Sequence, residues 1–159
     1  MKNFTLCLKM SLFLFVCLVF MSFSQISRLT EETDFIQQLL SVHHNDEDAG
    51  KKLKRYELNV TNSGFCRYKR YYARGKTEYF SFNLSKFKDL DYYGTDKRGK
   101  LVLSTKGDDV IVQTYNDSAG DVDSMATYMT IPLKDIEPEE LMALSESMAR
   151  VTAQRQAQK

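Results

Sequence analysis

The feature that most limits the possible folds is a series of alternating apolar and polar segments separated by short turns. Tyr56, Leu58 and Val60 alternate with polar neighbours, and the turn signals Asn62–Gly64 and Arg74–Lys76 bound the next segment. Alternation with a period of two predicts half-buried β-strands. Because a parallel crossover needs a dozen or more residues, turns this short predict antiparallel hairpins.

Further strands are predicted around residues 79–84, where Phe80, Phe82 and Leu84 alternate with polar neighbours, and around 90–93, 101–105, 110–115 and 125–131. A helix is predicted on each side of the β region. The first helix begins at Thr30 as N-cap and ends near His44. The second begins at Pro138, carries an apolar stripe, and is expected to fray after Thr152. The stripe consists of Leu141, Leu144, Met148 and Val151. The sequence therefore predicts an α+β chain, mostly β: one helix, an antiparallel meander of six or seven strands, and a C-terminal amphipathic helix.

This element order resembles the pleckstrin-homology-like architecture, a bent seven-strand sheet plugged by a helix, over residues 53–153. The resemblance lies in the order of the elements, and no residue motif carries it. A lipocalin-like or other small meander barrel is the alternative. Neither fold would determine a function.

The first 24 residues have the composition of a signal peptide. Lys2 and Lys9 are their only charges, and an apolar run of signal-peptide length follows Lys9. Small residues at Ser22 and Ser24 predict cleavage before Gln25; an uncleaved anchor is the alternative. The predicted organisation is a signal peptide over 1–24, a helix and polar loop over 25–50, a β-rich domain with its helix over 51–153, and a tail over 154–159. The mature protein is expected to be secreted or periplasmic, without a transmembrane span.

Removal of the signal peptide leaves Cys66 as the single cysteine. The mature chain then has no internal disulfide, so packing must stabilise it. Cys66 alternates with Tyr68 and Tyr72 on one strand face and is interpreted as a small core residue. An intermolecular disulfide or a reactive thiol is the alternative.

No motif for nucleophilic, phosphate-binding or zinc-dependent chemistry occurs in the sequence. Residues 43–48, from His43 to Asp48, are interpreted as a solvated helix end. The aspartates at 117, 121 and 123 are interpreted as turn formers, because no closing Glu completes a calcium loop. The sequence thus predicts a non-catalytic protein with no cofactor and no metal; a metal-dependent enzyme using one of these two segments is a minor alternative.

The charge distribution points to a binding surface. Residues 51–76 hold nine basic side chains and one acidic, and residues 108–147 hold ten acidic and one basic. Basic residues interleaved with tyrosine can contact an anionic polymer by charge and stacking. The predicted binding residues are Arg67, Tyr68, Lys69, Arg70, Tyr71, Tyr72, Arg74 and Lys76.

The predicted partner is an envelope or extracellular protein, or an anionic glycan or lipid surface; nucleic acid is not expected for an exported protein. In an alternative interpretation, the basic and acidic blocks neutralise each other as cross-strand pairs. In another, the domain is a barrel that holds an apolar ligand. Its lining would include Tyr68, Tyr72, Phe80 and Phe82.

Overall fold

The computed structural model of the chain describes residues 28–48 and 51–157. The signal peptide predicted over 1–24 lies outside these residues. Helix α1 covers residues 28–42. The elements that follow are β1 (Glu47–Asp48), β2 (Lys51–Val60), β3 (Phe65–Tyr72), β4 (Thr77–Asn83), β5 (Phe87–Gly94), β6 (Arg98–Thr105), β7 (Val110–Tyr115), β8 (Asp123–Ala126), β9 (Tyr128–Lys134) and α2 (Pro138–Ala157). Among the described residues, no helix is both long enough and apolar enough to cross a membrane.

The strands form two antiparallel sheets. One has six strands in the order β1-β2-β3-β4-β7-β8, and the other has three in the order β5-β6-β9. The predicted antiparallel pairing is confirmed, but a single meander or a single bent seven-strand sheet is not what forms. The pairing follows chain order through β4, and then β5 and β6 leave for the second sheet while β7 takes the place beside β4.

The departure begins at a single 3-10 turn over Leu84–Lys86. The Asn83 side chain caps this turn by accepting a hydrogen bond from the Ser85 N–H at 2.9 Å. Leu84 and Ser85 are buried, which fixes the direction in which the chain leaves β4. The sequence around Leu84–Lys86 predicts only a link between strands, so the change of sheet was not predicted.

Both sheets and both helices share one core. Ile36 of α1, Tyr68 of β3, Leu103 of β6 and Leu144 of α2 are all fully buried in it. Of the side chains expected to line a barrel, Tyr68 and Phe82 are instead buried in this core, and Phe80 packs partly against it. Cys66 is a fully buried free thiol, as predicted, and burial raises its pKa to about 12.

Helix α1 lies against the outer edge of β2. The Gln37 side chain donates to the Leu58 carbonyl at 3.0 Å and accepts from the Val60 N–H at 2.6 Å. These are backbone groups that a neighbouring strand would otherwise bind. One amide side chain therefore satisfies two backbone groups of this edge beyond its pairing with β1.

Helix α2 continues through Ala157, beyond the point where fraying was predicted. The Thr152 hydroxyl donates to the Leu84 carbonyl at 2.7 Å, and Gln156 donates to the Ser85 carbonyl at 2.9 Å. Polar side chains thus tie the last turns to the 3-10 turn. Hydrophobic periodicity does not reveal such contacts, whereas the predicted stripe of Leu144, Met148 and Val151 is buried as expected.

Candidate binding face

The side of the six-stranded sheet that faces away from the core is called here the outer face. Tyr56, Leu58 and Val60 of β2 pack against or within the core, so the residues alternating with them point outward. The strand register places side chains from five strands on this face. They are Arg55, Glu57, Asn59, Arg67, Lys69, Tyr71, Thr77, Tyr79, Ser81, Ile111, Gln113, Tyr115, Asp123 and Met125.

The eight predicted binding residues fall into three groups. Arg67, Lys69 and Tyr71 lie on the outer face. Tyr68 and Arg70 point the other way and are buried, at 0% and 4% exposure. The remaining three, Tyr72, Arg74 and Lys76, lie around the β3–β4 turn. Because neighbouring residues of a strand face opposite sides, one basic-aromatic strand cannot present all of its cations to a partner.

Arg70 links the two sheets from inside. Its Nη2 donates to the Thr130 carbonyl of β9 at 2.9 Å, and its Nη1 lies 3.7 Å from the Glu78 carboxylate. Its guanidinium also lies 4.9 Å from the ring centre of Tyr68. A buried arginine with these contacts stabilises the packing of the sheets and is not accessible to a ligand.

The outer-face cations lie over aromatic rings. Arg55 and Lys69 are 4.4 Å and 5.0 Å from the centre of the Tyr71 ring, and Arg67 is 5.1 Å from that of Phe65. A hydrogen bond to Tyr71 raises the pKa of Lys69, so this cation stays charged over the physiological range. Among the described residues Arg67 and Lys69 form no ion pair, although Glu57 lies opposite Lys69 on β2 and its charge helps to raise the pKa of Lys69. Both side chains leave β3 on the solvent side of the sheet.

Glu57 is the acidic member of this part of the face. It forms an ion pair with Arg55 and accepts a hydrogen bond from the Tyr71 hydroxyl at 2.9 Å. It is also the strand partner of Lys69. Arg55, Arg67 and Lys69 stand against this one carboxylate, so these four residues leave two positive charges in excess.

Lys76 has a different role at the β3–β4 turn. Its Nζ lies 2.9 Å from Glu78 and 2.7 Å from Asp117, and these hydrogen bonds raise its pKa. Lys76 therefore clamps the turn to the β7–β8 loop. Arg74 is exposed at the rim of the adjacent cleft of about 650 Å³.

The basic and acidic blocks do not neutralise each other across paired strands. β4 separates β3 from β7, so Lys69 lies opposite Tyr79 and not opposite an acid of the 108–147 block. Lys76 and Asp117 join the two blocks through the loops. The basic character of β3 therefore persists on the outer face.

A shallow depression crosses the outer face between β2 and β4. Its volume is about 610 Å³, and Asn59, Arg67, Lys69 and Tyr79 are among its lining residues. Glu57 also lines it, and the ion-pair partner of Glu57, Arg55, is not among the lining residues. The structure thus brings both solvent-directed cations of β3 to one concave site.

A buried cluster around His44 was missed by sequence reasoning. His44 stacks on Tyr56 with ring centres 3.5 Å apart, and its Nε2 lies 2.7 Å from the Tyr68 hydroxyl. Burial, and to a lesser extent Arg70, lowers the His44 pKa to about 4. The solvated-end interpretation is therefore wrong for His44. Just after α1 ends, its backbone bridges to Leu133 at the edge of β9, and this places the ring inside.

The aspartate loop has the turn chemistry that was predicted. The Asp117 side chain accepts a hydrogen bond from the Ala119 N–H, and the Asp121 side chain accepts one from the Asp117 N–H. Over residues 28–48 and 51–157, no three His, Cys, Asp or Glu side chains come together as a metal site.

Comparison with protein-family models, with curated proteins and with solved structures finds no match to this chain. The case for a function therefore depends on the outer face.

Proposed function

We propose that this chain is an exported, non-catalytic binding protein whose outer face holds an anionic component of the cell envelope or the extracellular space. In this proposal residues 1–24 are a signal peptide cleaved after Ser24, and the mature protein is secreted or periplasmic. Arg67 and Lys69 provide the charge, and Tyr71 and Tyr79 provide the aromatic surface.

The observation that carries the proposal is the solvent-directed charge of Arg67 and Lys69 on an aromatic sheet face. Surface cations in most proteins lie among acids that offset them, whereas here three cations, Arg55, Arg67 and Lys69, share the one acid Glu57. This excess of positive charge favours an anionic partner over a neutral one.

The test is a pull-down from the cell's own envelope extract. The full-length gene product, purified as the cell processes it, is immobilised and washed at about 50 mM and about 500 mM salt, because the Debye length falls severalfold over such a range. We expect a component that is retained at low salt and lost at high salt. The variant Arg67→Ser/Lys69→Ser should lose it, and the control Lys88→Ser/Lys106→Ser, with two exposed cations elsewhere, should keep it.

Equal retention by both double variants would remove the outer face from the proposal. Retention at both salts would move the contact to an apolar surface. Export is tested separately by the intact mass of the purified protein. A mature chain beginning at Gln25 supports the signal peptide, and an unprocessed Met1 contradicts it.

A further inference from the structure

We infer that the depression between β2 and β4 is a binding site for an acidic saccharide, a sugar ring that carries a carboxylate or sulfate group. This inference rests on the proposed function and specifies the chemistry of its partner. The depression is shallow and open to solvent, with a volume of about 610 Å³, and its lining groups are accessible to a ligand laid across the sheet.

The acidic group has a defined place in the site. Arg67 and Lys69 are two residues apart on β3, so their side chains leave the strand on the same side, roughly 7 Å apart at the backbone. A guanidinium offers paired N–H donors that match the two oxygens of a carboxylate or sulfate. The ammonium group of Lys69 adds a second charge at the same depression.

The neutral groups of the site suit the rest of a sugar. Tyr79 pairs with Lys69 across β3 and β4, and Asn59 pairs with Arg67 across β2 and β3. The tyrosine supplies a ring face and a hydroxyl, and the amide supplies both a donor and an acceptor. A hydroxyl-bearing ring uses all of these groups, whereas an acidic peptide would use chiefly the cations.

The lining also disfavours a lipid. Leu58 is the lining residue with an aliphatic side chain, and that side chain is buried on the inner side of the sheet. An acyl chain would therefore find little apolar surface in the depression. The accessible lining consists of two cations, an amide, aromatic rings and the single carboxylate of Glu57.

Glu57 determines which end of the depression an acidic group can occupy. Its carboxylate lines the depression opposite Lys69 and would repel an acidic group placed beside it. The acidic group of the ligand is thereby directed to the Arg67 end. The variant Glu57→Gln keeps an acceptor for the Tyr71 hydroxyl and removes the repulsion, so it should bind the acidic saccharide about two- to fivefold more tightly.

The test uses trigalacturonate as probe and isothermal titration calorimetry with the protein as the cell processes it. Maltotriose is the neutral saccharide control and triglutamate is the acidic peptide control. We expect binding of trigalacturonate, no binding of maltotriose, and at least tenfold weaker binding of triglutamate. Sulfated maltotriose, in which sulfate is the acidic group, then distinguishes carboxylate from sulfate as the preferred acid.

Two tyrosine variants separate the site from the rest of the face. Tyr79→Ala should weaken trigalacturonate binding about fivefold or more, because it removes the ring contact. The control Tyr115→Ala lies on the same face outside the lining and should leave the affinity unchanged. Thermal unfolding of both variants establishes that each is folded.

Equal affinity for triglutamate and trigalacturonate, or an unchanged affinity in Tyr79→Ala, would overturn the saccharide site and leave only a charged surface. No binding of any probe, together with a salt-sensitive partner in the pull-down, would overturn the saccharide site and keep the proposed function. No binding and no salt-sensitive partner would overturn both.

Discussion

Arg67 and Arg70 show that the position of an arginine along a strand determines whether its side chain is exposed or buried. They are three residues apart on β3, so strand alternation sends one guanidinium to solvent and the other into the core. The first is free to attract a ligand. The second holds the Thr130 carbonyl and the Glu78 carboxylate between two sheets.

We predict that the same substitution, arginine to glutamine, lowers the free energy of unfolding strongly at one of these sites and hardly at the other. Arg70→Gln removes a buried, hydrogen-bonded charge and should lower the free energy of unfolding by about 3 kcal/mol. Arg67→Gln should change it by less than about 0.5 kcal/mol, since an exposed side chain is replaced. Urea unfolding measures both. Equal effects would show that Arg70 does not link the sheets.

His44 makes stability depend on pH in a defined window. The folded chain keeps the imidazole neutral, with a pKa lowered from 6.5 to about 4 chiefly by burial. The unfolded chain protonates it below about pH 6.5, so between these values the unfolded state holds more protons. The free energy of unfolding therefore falls as the pH drops from 6.5 towards 4.

From this group alone, we expect a loss of about 2 kcal/mol between pH 7 and pH 5. Four other groups face the ring: Asp46 raises its pKa, Arg70 and Lys134 lower it, and the Tyr68 hydroxyl bonds Nε2. The double variant His44→Phe/Tyr68→Phe replaces both hydrogen-bonding partners by apolar rings. Its unfolding free energy should vary less over the same range, as followed by urea titration at each pH. An equally steep loss in this variant would contradict the assignment.

At the scale of elements, the sequence predicted what neighbouring residues control. The alternation of β2 to β4, the turns between them and the apolar stripe of α2 all depend on residues close in the chain. The change of sheet after Asn83 depends instead on the burial of Leu84 beneath α2, more than fifty residues later. The end of α2 was missed for the same reason, since Gln156 is held by Ser85.

Deletion of residues 154–159 tests the longer helix. It removes the Gln156 bond to Ser85 and the packing of the Arg155 side chain beside Gly64. We expect a loss of about 1 kcal/mol in the free energy of unfolding, the usual contribution of one such hydrogen bond, together with lower helical circular dichroism. A frayed tail would give no change in stability.

For the whole molecule, the shared core predicts one cooperative unfolding transition. Residues of both sheets and both helices meet in it, so neither sheet has a core of its own. Because Cys66 is fully buried in this core, chemical labelling of its thiol reports when the core opens. In a variant that lacks residues 1–24, and with them Cys7 and Cys17, we expect far-UV circular dichroism, tyrosine fluorescence and labelling of this thiol to give the same urea midpoint. Labelling at lower urea would indicate that the β2–β3 region opens separately.

The candidate site was predictable in part at this scale. The basic-aromatic composition of β3 indicated the strand, and alternation alone could have removed Tyr68 and Arg70 from the surface. The concave shape was not predictable, because Asn59 and Tyr79 come from the two neighbouring strands and meet β3 only through the register. The position of the acidic block, residues 108–147, relative to β3 was not predictable either, because it depends on β4 lying between β3 and β7.

Gln37 has a consequence for how copies of this protein behave at high concentration. A bare strand edge invites the same edge of another copy to join it, and sheets that join in this way grow into fibres. By occupying the Leu58 carbonyl and the Val60 N–H, Gln37 blocks strand pairing at this end of β2. The adjacent outer face can thus be displayed to a ligand without the sheet itself becoming a template for aggregation.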